Sequence, residues 1–394
     1  MDIFMIRRYS NQSEIPYKYE KGLSIMEMLS NSKLGFGMMR LPRKDDETID
    51  IARTCEMVDA FLAKGFTYFD TAYVYNGSEV AVKAALVDRH PRDSYTIASK
   101  LPGGMLKSPE ECDRYFNETC ERLGVDYLDF YLLHNVDDEH EEIFEKMNCW
   151  EWAKQKKAEG KIRHIGFSSH GSPELLERLL TNHPEAEFVQ LQLNYFDWEN
   201  DKVKSREVYE VVRRHNKPIV VMEPVRGGSL ASLPEEPEAL LKAARPDASI
   251  ASWALRYIAS KEGIMTVLSG MSTEEQMQDN LATFADFQPM TAEEDALMAK
   301  VADILHSYPT VPCTGCKYCV DGCPMQIRIP RVINAINQVR MFGDSPVARK
   351  RYADAVKDGG KASDCIGCGA CADACPQHLD IPALMQEAAS IFDK

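Results

Sequence analysis

Eight short runs rich in apolar, β-branched and aromatic residues recur up to residue 270, and stretches of helical period lie between them. The strand candidates are KLGFGMMRLP (33–42), FTYFDTA (66–72), SYTIASK (94–100), YLDFYLLH (127–134), IRHIGFSS (162–169), EFVQLQLN (187–194), KPIVVMEP (217–224) and GIMTVLSG (263–270). DIARTCEMVDAFLAKG, with Ile51, Val58, Phe61 and Leu62 apolar, shows the intervening helical pattern. Parallel strands need crossover connections, so eight βα units in a row predict a parallel sheet closed as a (β/α)8 TIM barrel. An open doubly wound sheet is the weaker alternative, because no G-x-G-x-x-G opens a helix after the first strand.

The chain has 394 residues, and a barrel takes roughly 250 of them. The expected division is an N-terminal extension (1–30), the barrel (31–305) and a C-terminal, mostly helical ferredoxin-like domain (306–394). The formal net charge of −15 argues against a nucleic-acid partner, which needs a basic surface to neutralise phosphates. No run approaches the roughly 20 apolar residues of a membrane span. The start MDIFMIRRYSNQSEIPYKYE carries no apolar core of a signal peptide, so a cytoplasmic location is expected.

Eight of the 12 cysteines lie in two motifs, CTGCKYCVDGCP (313–324) and CIGCGACADACP (365–376). Each reads C-x2-C-x2-C-x3-C-P, the spacing that wraps thiolates around a 4Fe-4S cluster in bacterial ferredoxins. Structural zinc favours two ligand pairs separated by a longer finger. In two-cluster ferredoxins the fourth cysteine of one motif ligates the other cluster. That rule assigns Cys313, Cys316, Cys319 and Cys375 to one cluster, and Cys365, Cys368, Cys371 and Cys323 to the other. CPMQIRIPRVI and CPQHLDIPALM extend the motifs into a repeat, and helical segments fill the gap between them. Cys55, Cys112, Cys120 and Cys149 lie in helical stretches and read as core.

Barrels keep their chemistry at the C-terminal ends of the strands. Strand two ends in Asp70, with Tyr75 five residues later; strand three ends in Lys100 and strand four in His134. A nearby ammonium favours the phenolate and is expected to lower the tyrosine's pKa, so Tyr75 would serve as acid/base, with the lysine fixed by a carboxylate. His134 would orient a substrate carbonyl and stabilise its developing charge.

FDTAYVYNGSE (69–79), ASK (98–100) and YLLH (131–134), in this order, resemble the aldo-keto reductases, specifically a subgroup with a C-terminal two-cluster ferredoxin-type domain. GKIRHIGFSSH, VQLQLNYF, MEPVRGG and VLSGMSTEEQMQDN extend the likeness over about residues 33 to 285. The resemblance implies Asp70, Tyr75, Lys100 and His134 as the catalytic tetrad. It implies Ser168, Ser169 and Gln192 as holders of a nicotinamide carboxamide, and Gly270, Met271, Ser272, Gln276 and Asn280 as the adenosine end, with Arg226 at the rim. Met222 stands where members often stack an aromatic ring on the nicotinamide. Gln276, flanked by Glu274 and Glu275, stands where members specific for NADPH place basic residues, which leaves NADH open.

Nicotinamide delivers two electrons as hydride, whereas each cluster accepts one at a time, a gap that a flavin normally bridges. The expected function is that of an oxidoreductase acting on a small carbonyl or alcohol substrate, coupled to the clusters through bound NAD(P)(H) or a flavin. A ferredoxin or flavodoxin is the expected electron partner. The competing readings are an electron-transfer or redox-sensing protein on a retired barrel, an ordinary carbonyl reductase with structural clusters, and a lyase using Lys100 as an amine nucleophile.

Overall fold

The computed structural model describes residues 33–46, 48–200, 203–313, 315, 317–375 and 377–394. The expected N-terminal extension (1–30) and Cys316 lie outside the described residues.

All eight expected strands form: β1 (Leu34–Gly37), β2 (Tyr68–Asp70), β3 (Thr96–Leu101), β4 (Leu128–Leu133), β5 (Ile162–Ser169), β6 (Phe188–Gln192), β7 (Ile219–Met222) and β8 (Ile264–Ser269). Each pairs in parallel with its sequence neighbour, and β1 pairs with β8 to close the barrel. Side chains alternate across a strand, so every second residue points into the barrel. Tyr68, Ala98, Phe130, Leu132, Phe188, Val220, Met265 and Leu268 form the buried interior cluster. Above it, the same alternation carries Asp70, Lys100, Ser168 and Gln190 toward the C-terminal mouth.

The opposite faces are held by buried polar stitching as well as by apolar contact. Asp129 of β4 is completely buried, accepts from Arg92 at 2.6 Å, from Arg163 at 2.7 Å and from the Ile97 backbone N–H at 2.9 Å, and so links β3, β4 and β5. The helix Ala292–Ser307 opens with a capping box between Thr291 and Glu294.

Beyond it, the helices Ile329–Phe342, Pro346–Val356 and Ile381–Phe392 share a second apolar cluster that includes Val332, Ile333, Ile336, Tyr352 and Met385. The repeat seen in the sequence is also a repeat in space. The short helices Tyr318–Asp321 and Ala370–Asp373 each follow a left-handed residue, Lys317 and Gly369, and each longer repeat helix begins with an Ile-Pro step. Proline suits that first turn because the N–H it lacks would have no helical partner.

The two halves meet through named contacts. His306 stacks on Phe196 at 4.2 Å and contacts its carbonyl oxygen at 2.8 Å, while Phe342 reaches Phe196 at 5.6 Å. Phe342 thereby joins the core of the barrel rather than that of its own half. Among the described residues no helix is long and apolar enough to cross a membrane.

Candidate active site

Asp70, Tyr75 and His134 line one cleft of about 420 Å³ at the barrel mouth, with Asn135, Ser168, His170, Gln190, Met222, Glu223, Gly270, Met39 and Arg40 among the other lining residues. Lys100 lies beneath it. Its ammonium donates to Asp70 Oδ1 at 2.6 Å and to the Thr71 carbonyl at 2.7 Å, and sits 4.9 Å from the centre of the Tyr75 ring. Tyr75 and His134 meet edge to face with ring centres 6.0 Å apart. Three neighbouring strand ends, those of β2, β3 and β4, thus deliver the four residues to one place.

Burial dominates their protonation. It lifts the Asp70 carboxyl above its usual range, with the Lys100 ammonium and the Gln190 amide pulling it back. Burial also disfavours charge on Lys100, but Asp70 and Tyr75 outweigh it and hold the ammonium above the ordinary lysine range. The 2.6 Å contact between the Lys100 ammonium and Asp70 Oδ1 makes the buried pair an ion pair. For Tyr75 the expected lowering does not occur: burial raises the phenol above its ordinary value despite the attraction and hydrogen bond of Lys100. Desolvating a phenolate costs more here than one shared ammonium returns. His134 is pushed down to about 3 by burial and by the positive charges of Lys100 and His170, so it is a neutral imidazole.

The residues expected around a cofactor separate into two groups. Ser168 faces the cleft, where its hydroxyl oxygen accepts from the Asn135 N–H at 2.9 Å. Ser169, one residue on, points to the opposite side, donates to the Val136 carbonyl at 2.6 Å and accepts from Gly171 N–H. Gln192 donates to Asp197 at 3.2 Å and is not part of the cleft lining; Gln190, two residues earlier on the same face, lines the cleft and donates to Asp70 Oδ2 at 3.3 Å. Gly270 lines the cleft, whereas Met271 is buried in the apolar core. Ser272 donates from its hydroxyl to the Arg40 carbonyl, its backbone N–H is taken by the Gln276 side chain, and Asn280 donates to Ser269 Oγ from a buried position. Arg226 is tied inward: it lies 3.2 Å from the fully buried Asp197 and over the Phe196 ring at 4.6 Å.

Sequence reading missed Gln190, His170, Arg40 and Glu223. For Gln190 a signal was present in the alternation, since Gln190 and Gln192 occupy the same face and only depth distinguishes them. Arg40 gave none, because its donation to the Gly227 carbonyl at 3.1 Å and its 3.4 Å contact with Glu223 join segments far apart in the chain. The β7 loop that receives it runs Glu223, Arg226, Gly227 and Gly228 through left-handed backbone, a strained turn for the two non-glycine residues.

The cysteines gather in two cavities. Cys323, Cys365, Cys368 and Cys371 line one; Cys313, Cys319 and Cys375 line the other. Cys323 of the first motif therefore faces the second motif's cavity, and Cys375 the first's. Among the described residues no three or more His, Cys, Asp or Glu groups converge as a single-ion site. Thiolates disposed around a cavity fit a cluster, which is bridged to the chain only at its iron corners. Cys112 and Cys149 are buried in the barrel half and face each other with sulfurs 3.7 Å apart.

Residues 33–303 match the Aldo/keto reductase family, and residues 312–379 match a 4Fe-4S dicluster domain. The chain belongs to the aldo/keto reductase family. A holo-form aldo-keto reductase structure from Bacillus halodurans is 26% identical, covering 68% of this chain and 91% of that one with a TM-score of 0.55. L-galactose dehydrogenase of Arabidopsis thaliana is 26% identical over 297 residues, 68% of this chain and 89% of the plant protein. The NAD/NADP-dependent indole-3-acetaldehyde reductase of Schizosaccharomyces pombe is 34% identical over 137 residues, 34% of this chain, and the match spans 46% of the yeast protein. A probable aldo-keto reductase of Glycine max is 32% identical over 183 residues, 43% of this chain, and the match likewise spans only 49% of its length. The chain spans about half the length of these last two relatives, and a dicluster domain follows its aldo/keto reductase barrel.

Proposed function

We propose that the barrel interconverts a small carbonyl compound and its alcohol, with Tyr75 as proton donor and acceptor, and that the two 4Fe-4S clusters are coupled to this site through a flavin, which would divide the two electrons of a hydride into the single electrons that each cluster takes. The observation that carries the reading is the buried Asp70–Lys100 ion pair set under the Tyr75 ring, with His134 beside it on the same cleft. Tyr75, protonated at neutral pH, gives its proton to the carbonyl oxygen during reduction and takes it back during oxidation. Neutral His134 donates a ring N–H to the same oxygen and fixes its position. Lys100 and Asp70 hold the phenol in place and stabilise the phenolate left behind.

A nicotinamide, when bound, supplies or accepts the hydride. The inward Ser168 hydroxyl, Asn135 and Gln190 offer the polar contacts that a carboxamide needs, and Gly37 and Gly270 keep the wall free of side chains. The nicotinamide dependence in the name of the Schizosaccharomyces relative supports this choice. Glu274, Glu275 and Gln276 are all exposed at the head of the helix Glu274–Ala285, and two carboxylates repel a 2′-phosphate. NADH is therefore the proposed form, binding at least about tenfold tighter than NADPH in calorimetric titration, a difference of roughly 1.4 kcal/mol. Comparable affinities would remove that preference. The proposed division of labour follows the expected boundary near residue 305, chemistry before it and electron relay after it.

Tyr75→Phe is the direct test. It is expected to lower kcat by at least about a thousandfold, within what general acid catalysis contributes, with iron content and the iron–sulfur absorbance unchanged. Wild-type turnover in this variant rules out the tyrosine as acid. Unchanged electron transfer to a ferredoxin or flavodoxin alongside it would favour the redox-sensing alternative.

A further inference from the structure

The iron–sulfur half packs against the loop after β7, whose Glu223 lines the cleft. The helix Pro346–Val356 carries Val347 and Arg351 one turn apart, hence on one face. That face meets the β7 loop: a Cβ at Gly228 would stand 3.4 Å from Val347 Cγ2. Arg351 is half-buried there and donates to Asn334 Oδ1 at 2.9 Å, and among the described residues no carboxylate lies within ion-pair distance of it. Its charge is felt instead among two further guanidinium groups, Arg226 and Arg40, and two carboxylates, Glu223 and Asp197.

Those carboxylates are already engaged. Asp197 lies 3.2 Å from Arg226, and Glu223 lies 3.4 Å from Arg40. Three cations thus share two anions, which leaves one positive charge in excess in a partly desolvated place. A guanidinium in that position is costly unless an oxyanion joins it, and its planar fork matches a carboxylate or phosphate. Burial, the largest influence, and repulsion from Arg226 and Arg40 already act to pull its pKa down, a measure of that unmet demand. Arg40 lines the same cleft as Tyr75, while Met39, Val74 and Met222 give other parts of the wall an apolar surface.

We propose that Arg351, delivered by the iron–sulfur half, and Arg40 of the barrel bind the anionic group, a carboxylate or a phosphate, of the carbonyl substrate. The inference rests on the reading of Tyr75 as proton donor, because it places the reacting oxygen at one end of the cleft and the anion at the other. It also gives the appended half a role in substrate selection besides electron transfer.

The probes are 4-oxobutanoate and butanal, which match in chain length and differ by one carboxylate. Titration calorimetry on the full-length, cluster-loaded protein is expected to show at least about tenfold tighter binding of 4-oxobutanoate. Arg351→Met and, independently, Arg40→Met are expected to abolish that preference, and Arg351→Lys to restore part of it. Iron content and circular dichroism identify any variant that has failed to fold. A preference that survives in both methionine variants overturns the proposal. So does a loss of NADH affinity with the carboxylate preference intact, which would assign the guanidinium groups to a cofactor phosphate. Wild-type turnover by Tyr75→Phe with the carboxylate preference present would sink the acid role and leave the anion site standing.

Discussion

Tyr75 and His134 illustrate how far burial decides chemistry at single residues. Because the phenol is raised above its usual pKa of about 10, its protonated form prevails through the neutral range, and His134, held at about 3, contributes no titration near 6.5. Carbonyl reduction is therefore expected to show a flat kcat between about pH 5 and pH 9, while alcohol oxidation, which needs the phenolate, rises with pH throughout that range. A bell centred near 6.5 in the reduction direction would contradict the neutral His134. The same depression has a consequence for stability. A histidine whose folded pKa lies below its unfolded value stabilises the fold above about 6.5, and that contribution is lost as pH falls toward about 3. His134→Gln is accordingly expected to flatten part of the acid-side loss of stability in urea unfolding measured between those limits, by a few kcal/mol at most. The sequence put these residues together through their places at strand ends, yet it pointed to the wrong direction of shift for Tyr75. An ammonium on the neighbouring strand is visible in a motif; the depth of the pocket around it is not.

Among the elements, the eight strands were legible because short runs rich in apolar, β-branched and aromatic residues stand between stretches of helical period, and β5 coincides with the expected 162–169. Depth along the barrel axis was not legible. Gln190 and Gln192 share a face, so periodicity treats them alike, and only the closed sheet shows that the first reaches Asp70 and the second Asp197. Asp129 went unremarked for a related reason: an acid inside an apolar strand gives no hint of its partners until β3 and β5 bring Arg92, Arg163 and the Ile97 N–H around it. Removing such a carboxylate strands two guanidinium groups and a buried N–H, whereas both arginines keep partial access to water. Asp129→Ala is expected to cost about 3 kcal/mol, at the lower end for breaking a buried pair, read from the urea midpoint at unchanged slope. A loss under about 1 kcal/mol would mean that the arginines simply rehydrate.

At the scale of the whole molecule, two motifs contiguous in sequence become two cavities that exchange a ligand. Cys323 ends the first motif but lines the cavity of Cys365, Cys368 and Cys371, and Cys375 ends the second but lies with Cys313 and Cys319. On the crossed ligation we propose, neither cluster would be held by one motif alone, and the helices Ile329–Phe342 and Ile381–Phe392 share one apolar cluster with both sets of cysteines. Through Phe342 that unit docks on Phe196, and through Val347 it packs against the β7 loop at Gly228. Paired substitutions separate crossed from linear ligation. With full loading at about eight irons per chain, Cys323→Ser combined with Cys368→Ser removes thiolates from one cavity and is expected to leave about four irons. Cys323→Ser combined with Cys319→Ser touches both cavities and is expected to leave almost none. Linear ligation by each motif predicts the reverse order, and iron analysis of the two anaerobically purified double variants decides between them.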